Sequence, residues 1–509
     1  MHKTNYLTRI CTISLLLSPF TNTFANGDKD IARIIKESKY KIGIVNSVSH
    51  HKTPLWLTAN QYGLSSVKPY NGFLNVSLSR DSKNDSLRIW RIGYIADFAV
   101  AYNNTSIPII HQLAANIDYK RASLSIGSKE ECMSLKNNEL SSGSQTFGIN
   151  ARPIPQIRLS LPDYWCFTGK KHPWGAIRGF ISYGVMTDGK FQRDYVLPSE
   201  RYSRKVLYHA KAGFLRLGNP EKFPLTFEGG IEMATQFGGI IYNYQLENGL
   251  MSEPIHMSHT FKDFVNSTFG IGNDPTDGIY KNATGNTVGS WLFRLNYKYK
   301  DWTASVYYDH YFEDHSQLFF EYGWLDGLIG VELSLPKNRF LSNIVYEFLK
   351  TTYQSGPLYH DRTDLIPDQI SGNDKYYNHG LYAGWQHWGQ AIGNPLFISP
   401  LYDNDGKLAF KYNRFKAHHV GLSGNPLRNL HYRFLYTFER NWGTYDDPLE
   451  HSKVNHSVLL EATYSPTKIG KWNANGWLFG LGLALDKGSL IGHNTGFQIK
   501  IYKSGLLLH

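Results

Sequence analysis

The feature that most constrains this chain is a strict period-two alternation of apolar and polar residues that restarts across two-residue turns. In "WLFRLNYKYKDWTASVYYDHYF", Trp291, Phe293, Leu295, Tyr297 and Tyr299 fall on one face, and Leu292, Arg294, Asn296, Lys298 and Lys300 on the other. After Lys300–Asp301 the pattern resumes, with Trp302, Ala304, Val306 and Tyr308 opposite Thr303, Ser305, Tyr307 and Asp309. Successive side chains of a strand point to opposite faces, so each segment has one greasy side and one wet side. The rhythm recurs from Trp90 to Tyr102, from Gln112 to Tyr119 before Lys120–Arg121, from His431 to Glu439, from Trp477 to Leu485 and from Phe497 to Tyr502.

Composition separates the two all-β folds that alternate in this way. Aromatic residues make up 15% of the chain, with 34 Tyr and 12 Trp, yet the mean hydropathy is only -0.37. In a transmembrane β-barrel only alternate residues face lipid, so mean hydropathy stays low while aromatics collect in girdles at strand ends. Trp291, Tyr297, Tyr299, Trp302 and Tyr308 occupy such positions. The expectation is an all-β chain: a transmembrane antiparallel barrel with an even number of strands, about 16 to 20. A soluble β-sandwich or propeller is the competing fold. Outside the N-terminus no apolar run of about 18 residues suggests a transmembrane helix.

The first residues read as a signal peptide. Lys3 and Arg9 precede an apolar run from Ile10 to Phe20, and Thr23 and Ala25 supply the small residues of a cleavage site. Residues 1–25 are therefore assigned to a cleaved signal peptide, 26–70 to a charged periplasmic lead-in, and 71–509 to the barrel. Loss of Lys3 and Arg9 lowers the formal charge from +11 to +9. Cys132 and Cys166 allow at most one disulfide in the exported chain.

Direction follows from turn length, because tight barrel turns are periplasmic and long connections extracellular. Lys120–Arg121 and Lys300–Asp301 then lie in the periplasm, and "YYDHYFEDHS" rises to the outer mouth. "SHTFKDFVNSTFG", Ser258 to Gly270, spaces Phe261, Phe264, Val265 and Phe269 as an amphipathic helix.

The candidate site residues start with Asp309, Tyr311, Glu313, Asp314 and Trp324. Asp309 and Glu313 share the lumen parity, whereas His310 points the other way, so sequence neighbours make a poor metal set. Four residues along a strand span roughly 13 Å, too far for that pair alone to flank a glycosidic bond, where carboxylates lie about 5–10 Å apart. Carboxylates beside aromatics also suit saccharide hydroxyls and ring faces, or simply fill a polar lumen. "GWQHWGQAIGNP" adds Trp385, His387, Trp388 and Asn394, as an aromatic platform beside a turn. "INARPIPQIRLSLP" adds Arg152 and Arg158, cations for an anionic polymer. Pro153 and Pro155 keep Asn150–Pro155 out of an interior strand. No nucleotide-binding loop or zinc-pair spacing is present, so no cofactor or metal is expected, and an exported barrel gives no role to nucleic acid.

Several segments resemble the outer-membrane capsule-assembly proteins of the Wzi type, in the version found in Bacteroidetes. They are "LSSGSQTFGINARPIPQIRLSLPDYW", "LYHAKAGFLRLG", "FEGGIEMATQFGG", "YYDHYFEDHS" and "YNHGLYAGWQHWGQAIGNPLFISPLY", in order through most of the chain. The resemblance implies an eighteen-stranded, non-enzymatic, lectin-like barrel that helps attach or organise capsular polysaccharide. The expected partners are surface polysaccharide and outer-membrane lipid or lipopolysaccharide, with the chain a monomer. A diffusion channel for saccharides or small solutes is the alternative.

Overall fold

The computed structural model describes residues 33–85, 88–169, 174–246, 248–270, 285–313, 318, 325–336, 340–359 and 370–508. The signal segment, Asp314 and Trp324 lie outside these residues. Eighteen antiparallel strands form one closed sheet. In chain order they are β1 (Lys39–His50), β2 (Tyr70–Arg80), β3 (Trp90–Tyr102), β4 (Pro108–Tyr119), β5 (Ala122–Ser128) and β6 (Gln156–Cys166). Next come β7 (Gly175–Val185), β8 (Leu207–Leu217), β9 (Leu225–Phe237), β10 (Asn286–Tyr299), β11 (Trp302–Glu313) and β12 (Gly327–Ser334). The last six are β13 (Asn343–Lys350), β14 (Phe415–Leu427), β15 (Leu430–Gly443), β16 (Pro448–Tyr464), β17 (Trp477–Gly488) and β18 (Asn494–Leu506). Each pairs with its chain neighbours, and β1 also pairs with β18, which closes the barrel and leaves no open edge.

The first strand corrects one expectation. Lys39–His50 belongs to the barrel wall, so the barrel begins well before residue 71. Its alternation is present but masked. Ile42, Ile44 and Val48 point outward and are exposed, yet Val45 points inward, and Gly43, Ser47 and Ser49 carry little polarity to mark the wet face.

The outer wall is apolar. Val100, Leu113, Leu295, Val306, Val331, Leu483 and Ile499 are 42–62% exposed along it, while Ser305, Tyr307 and Asp309 of β11 are buried on the inside. The tight turns fall where expected, with Lys120 at φ 53° and Lys300 at φ 53°. Such left-handed residues match the twist of a two-residue hairpin. Pro162 sits where the β6–β7 register shifts, between Leu161 and Trp165, a bulge that tolerates its missing N–H. Cys132 and Cys166 are both free thiols.

Among the described residues no helix is long and apolar enough to cross a membrane. Short helices accompany the strands, among them α1 (Leu55–Thr58), α2 (Gly189–Tyr195) and α3 (Phe261–Phe269). The last is the amphipathic helix foreseen from spacing; Asp263 accepts from the Thr260 amide at 2.6 Å in a capping box.

The longest connections, spanning 51–69, 129–155, 186–206, 238–285 and 351–414, all lie at the end opposite the chain termini. Three of them turn inward. Loop 129–155 leaves between β5 and β6 and meets the opposite wall. The Ser142 amide donates to Glu347 of β13 at 2.7 Å, the Leu140 carbonyl lies 2.8 Å from the His419 ring of β14, and Arg433 of β15 donates to the Glu139 carbonyl at 3.1 Å. Since β5 and β14 stand halfway round an eighteen-strand ring, the loop crosses the lumen. It also descends, because Glu139 reaches His431, next to the periplasmic turn of β15. Loop 51–69 brings the Trp56 indole to Thr437 at 3.2 Å. Loop 351–414 brings the Tyr377 amide to Glu313 at 2.7 Å. The loops also hold one another: Asn60 donates to the Ser142 carbonyl, and Gln390 to the Ser65 carbonyl, both at 3.2 Å.

Candidate functional site

The inward loops decide what the foreseen site residues do. Asp309 has the foreseen parity, but nothing of it faces solvent. Lys136 of the crossing loop donates to its carboxylate, as does the Gln145 amide at 3.1 Å. Tyr311 is 1% exposed and donates to Glu313 at 2.6 Å. Both acids of the "YYDHYFEDHS" stretch that are described therefore anchor loops to the wall, and neither presents a free carboxylate to a ligand.

The second cluster divides. Trp385 is fully buried, donating to the Thr146 carbonyl at 3.0 Å and lying 6.2 Å from Tyr208. Asn394 is fully buried and donates to the Gly143 carbonyl at 2.9 Å. A Cβ on the preceding Gly393 would overlap the Gln145 carbonyl, so glycine is required where the two loops touch. His387 is buried with its two ring nitrogens 2.9 Å from the Arg152 carbonyl and 3.2 Å from the Thr187 amide. Those partners fix the neutral tautomer, with Nδ1–H donating and Nε2 accepting. Burial lowers the pKa of this ring from its ordinary value, outweighing the opposite pull of Asp188.

Trp388 has a different surrounding. Its indole is partly exposed and lines a groove of about 800 Å³ at the extracellular end. Four connections build this groove, namely 51–69, 103–107, 186–206 and the segment containing Trp388, Leu401 and Asn404. Helix α2 supplies Phe191 and Tyr195 one turn apart, with ring centroids 5.4 Å apart and planes 30° apart. Phe191 also approaches Trp388 at 5.7 Å. Lys52, Lys68, Lys190 and Asp194 line the same groove, together with Asn104, Thr105 and Ser106. Among the described residues Lys68 and Lys190 make no ion pair, whereas the Lys52 ammonium donates to the Tyr402 carbonyl.

Arg152 holds the platform from beneath. Its guanidinium lies 4.3 Å from the Trp388 ring and donates to Thr105 at 2.7 Å and Ser106 at 2.8 Å. Burial lowers its pKa to about 10, so it stays charged at neutral pH. Arg158 lies elsewhere, 3.5 Å over the Phe180 ring, in a lumen cavity of about 110 Å³. Of the residues foreseen from sequence and described here, Trp388 alone lines the groove, with Arg152 supporting it. Phe191, Tyr195, Lys52, Lys68 and Lys190 were missed. The one sequence signal for them is the Phe191/Tyr195 pair at helical spacing.

Chemically the groove offers flat aromatic surface, two ammonium groups that make no ion pair among the described residues, neutral hydrogen-bonding side chains and one carboxylate, Asp194, which is paired with Arg193 at 2.7 Å. That mixture fits an elongated polar ligand with apolar C–H patches and negative charge. Among the described residues no group of three or more His, Cys, Asp or Glu is placed to hold a metal ion.

A closed antiparallel barrel with an apolar outer wall, short turns at one end and long loops at the other defines an outer-membrane β-barrel protein. Among solved structures the chain is similar to Wzi from Escherichia coli, an outer-membrane protein involved in group 1 capsule assembly and described as a carbohydrate-binding β-barrel. The TM-score is 0.55 at 11% identity, over 93% of this chain and 86% of that one. Similarity to two Pseudomonas aeruginosa barrels is lower. OprD gives a TM-score of 0.44 at 8% identity over 94% and 97% of the two chains, and OpdK gives 0.45 at 10% over 93% and 99%. No family model matches the chain, and none of the curated proteins does.

Proposed function

We propose that this chain is a Wzi-type, non-enzymatic barrel that binds an acidic surface polysaccharide at its outer mouth and helps hold it on the cell as a capsule. The observation that carries the reading is the outer groove, which Phe191, Tyr195 and Trp388 line together with Lys68 and Lys190. Sugar rings stack their C–H faces on such aromatics, and carboxylates or phosphates on the polymer meet the ammonium groups. The loops that cross the lumen favour holding a polymer over passing solutes, and the resemblance to Wzi-type segments points the same way. The described acids of β11 are engaged inside the chain, which supports binding rather than hydrolysis.

The test is direct binding of refolded protein to the polysaccharide of the strain that carries it, with surface-capsule staining of a strain lacking the protein. The reading expects saturable binding, weakened at least tenfold by Trp388→Ala, and capsule released into the medium. A strain that keeps a normal attached capsule contradicts it. A steady large conductance in planar bilayers would instead favour a diffusion channel.

A further inference from the structure

The barrel wall carries polar side chains where lipid should be, and α3 covers them. On β8 the odd-numbered residues point outward, since Leu215 and Leu217 are 38% and 46% exposed while Tyr208 and Phe214 are buried within. His209 and Lys211 share that outward parity, and the register of β8 with β7 and β9 is unbroken. Lys211 lies six residues above Leu217 at the periplasmic end. At strand rise and barrel tilt this is roughly 15 Å, inside an apolar band about 25 Å tall. A cation facing hydrocarbon at that depth costs about 2–4 kcal/mol.

Helix α3 resolves the conflict by packing on the outside of the barrel. The Lys211 ammonium donates to the Thr268 carbonyl in its last turn, where the helix dipole is negative. Tyr183, outward on β7, donates to the Phe264 carbonyl at 3.0 Å, and its ring centroid lies 4.6 Å from that of His209 with the planes tilted by 38°. Phe264 packs between Tyr183 at 5.3 Å and Phe237 of β9 at 5.2 Å. His209 is left with no exposure and Met233 with 9%. The side turned away from the barrel is mainly apolar, and the exposed Lys262 beside Phe269 is long enough to carry its ammonium to the lipid headgroups. Phe261, Val265 and Phe269, at i, i+4 and i+8, are 83%, 38% and 69% exposed. This stripe continues the exposed apolar wall formed by Ile181 and Val185 of β7 and Leu215 of β8.

We propose that α3 is an in-plane membrane anchor, embedded in the outer leaflet with Phe261, Val265 and Phe269 against lipid acyl chains. The capping box and the Lys211 contact satisfy its polar ends, and the helix replaces the band that His209 and Lys211 interrupt. Its occupant is lipid, because the stripe is continuous with the wall that the barrel already presents to the membrane.

The test places a nitroxide on Val265→Cys, and separately on Phe269→Cys, in a chain whose Cys132 and Cys166 are replaced by Ser. The protein is refolded into phospholipid vesicles, with Leu295→Cys as the lipid-facing standard and Lys190→Cys as the aqueous one. Collision rates with oxygen and with a water-soluble nickel chelate are read by electron paramagnetic resonance. Oxygen accessibility exceeding nickel accessibility at both sites, as at position 295, supports the anchor. Nickel accessibility like that at position 190 overturns it, and so does protection from both reagents, which would mean a protein surface. A heat-modifiable band on gels, retained by each labelled variant, confirms that the barrel has formed.

Discussion

Lys136, on the loop that crosses the lumen, donates to Asp309 on the far wall, and the two side chains are 1% and 0% exposed. The pair ties the loop to β11 where no water competes. Removing one partner of a buried pair leaves an uncompensated charge and typically costs about 3–5 kcal/mol, whereas replacing both by apolar groups is close to neutral. Asp309→Asn should therefore lower the urea midpoint of the refolded barrel markedly. The double variant Lys136→Met/Asp309→Leu should recover most of the loss. Equal effects of the single and double variants would show that the pair does not couple loop to wall.

Glu347 of β13 holds the same loop five residues further on, at Ser141 and Ser142. Its carboxylate accepts from Ser141 Oγ at 2.6 Å, Ser142 N at 2.7 Å, Ser142 Oγ at 2.5 Å and Tyr307 Oη at 2.7 Å. Hydrogen bonds to a charged group contribute about 1.5–3 kcal/mol, and Glu347→Gln swaps an acceptor oxygen for a donor in this cage. Hydrogen exchange of peptides covering 133–147 should accelerate at least tenfold, with the strands of β2 to β4 unchanged. Uniform acceleration across the barrel would point to global destabilisation instead.

His387 gives the plug a pH dependence. Burial lowers its folded pKa beneath the ordinary 6.5, and protonation would set Nε2–H against the Thr187 N–H. Between the folded and unfolded pKa values the unfolded chain binds more protons, so stability falls as pH drops below about 6.5. The thermal midpoint should decline from pH 7.5 to pH 5, and His387→Gln should flatten that decline. An unchanged slope in the variant would assign the effect to other groups.

Much of the barrel was legible in sequence because its strands carry large apolar residues outside and charged or amide residues inside. Leu295 and Arg294 declare their faces without help. β1 was not legible, because Val45 inside and Asn46 outside blur the period that Ile42, Ile44 and Val48 set. The site was harder for a different reason. Parity correctly sent Asp309, Tyr311 and Glu313 inward, but what fills the lumen is a loop with no periodicity, so its reach to β13–β15 leaves no local trace. Trp385 and Trp388 sit three residues apart in one motif. The left-handed backbone at Gly384, Trp388 and Gly389, with φ of 84°, 57° and 79°, turns one indole into the core and the other into the groove.

The most direct measurement is calorimetric titration of the refolded protein with the acidic polysaccharide of its own strain, at low and high salt. The comparison is with Lys68→Glu/Lys190→Glu, a charge reversal of two groove lysines that make no ion pair among the described residues. The account predicts that the wild-type chain binds, that about 0.5 M salt weakens the binding by screening, and that the double variant loses at least tenfold, about 1.4 kcal/mol. Binding of equal strength by the variant, or no binding by the wild-type chain, would contradict it.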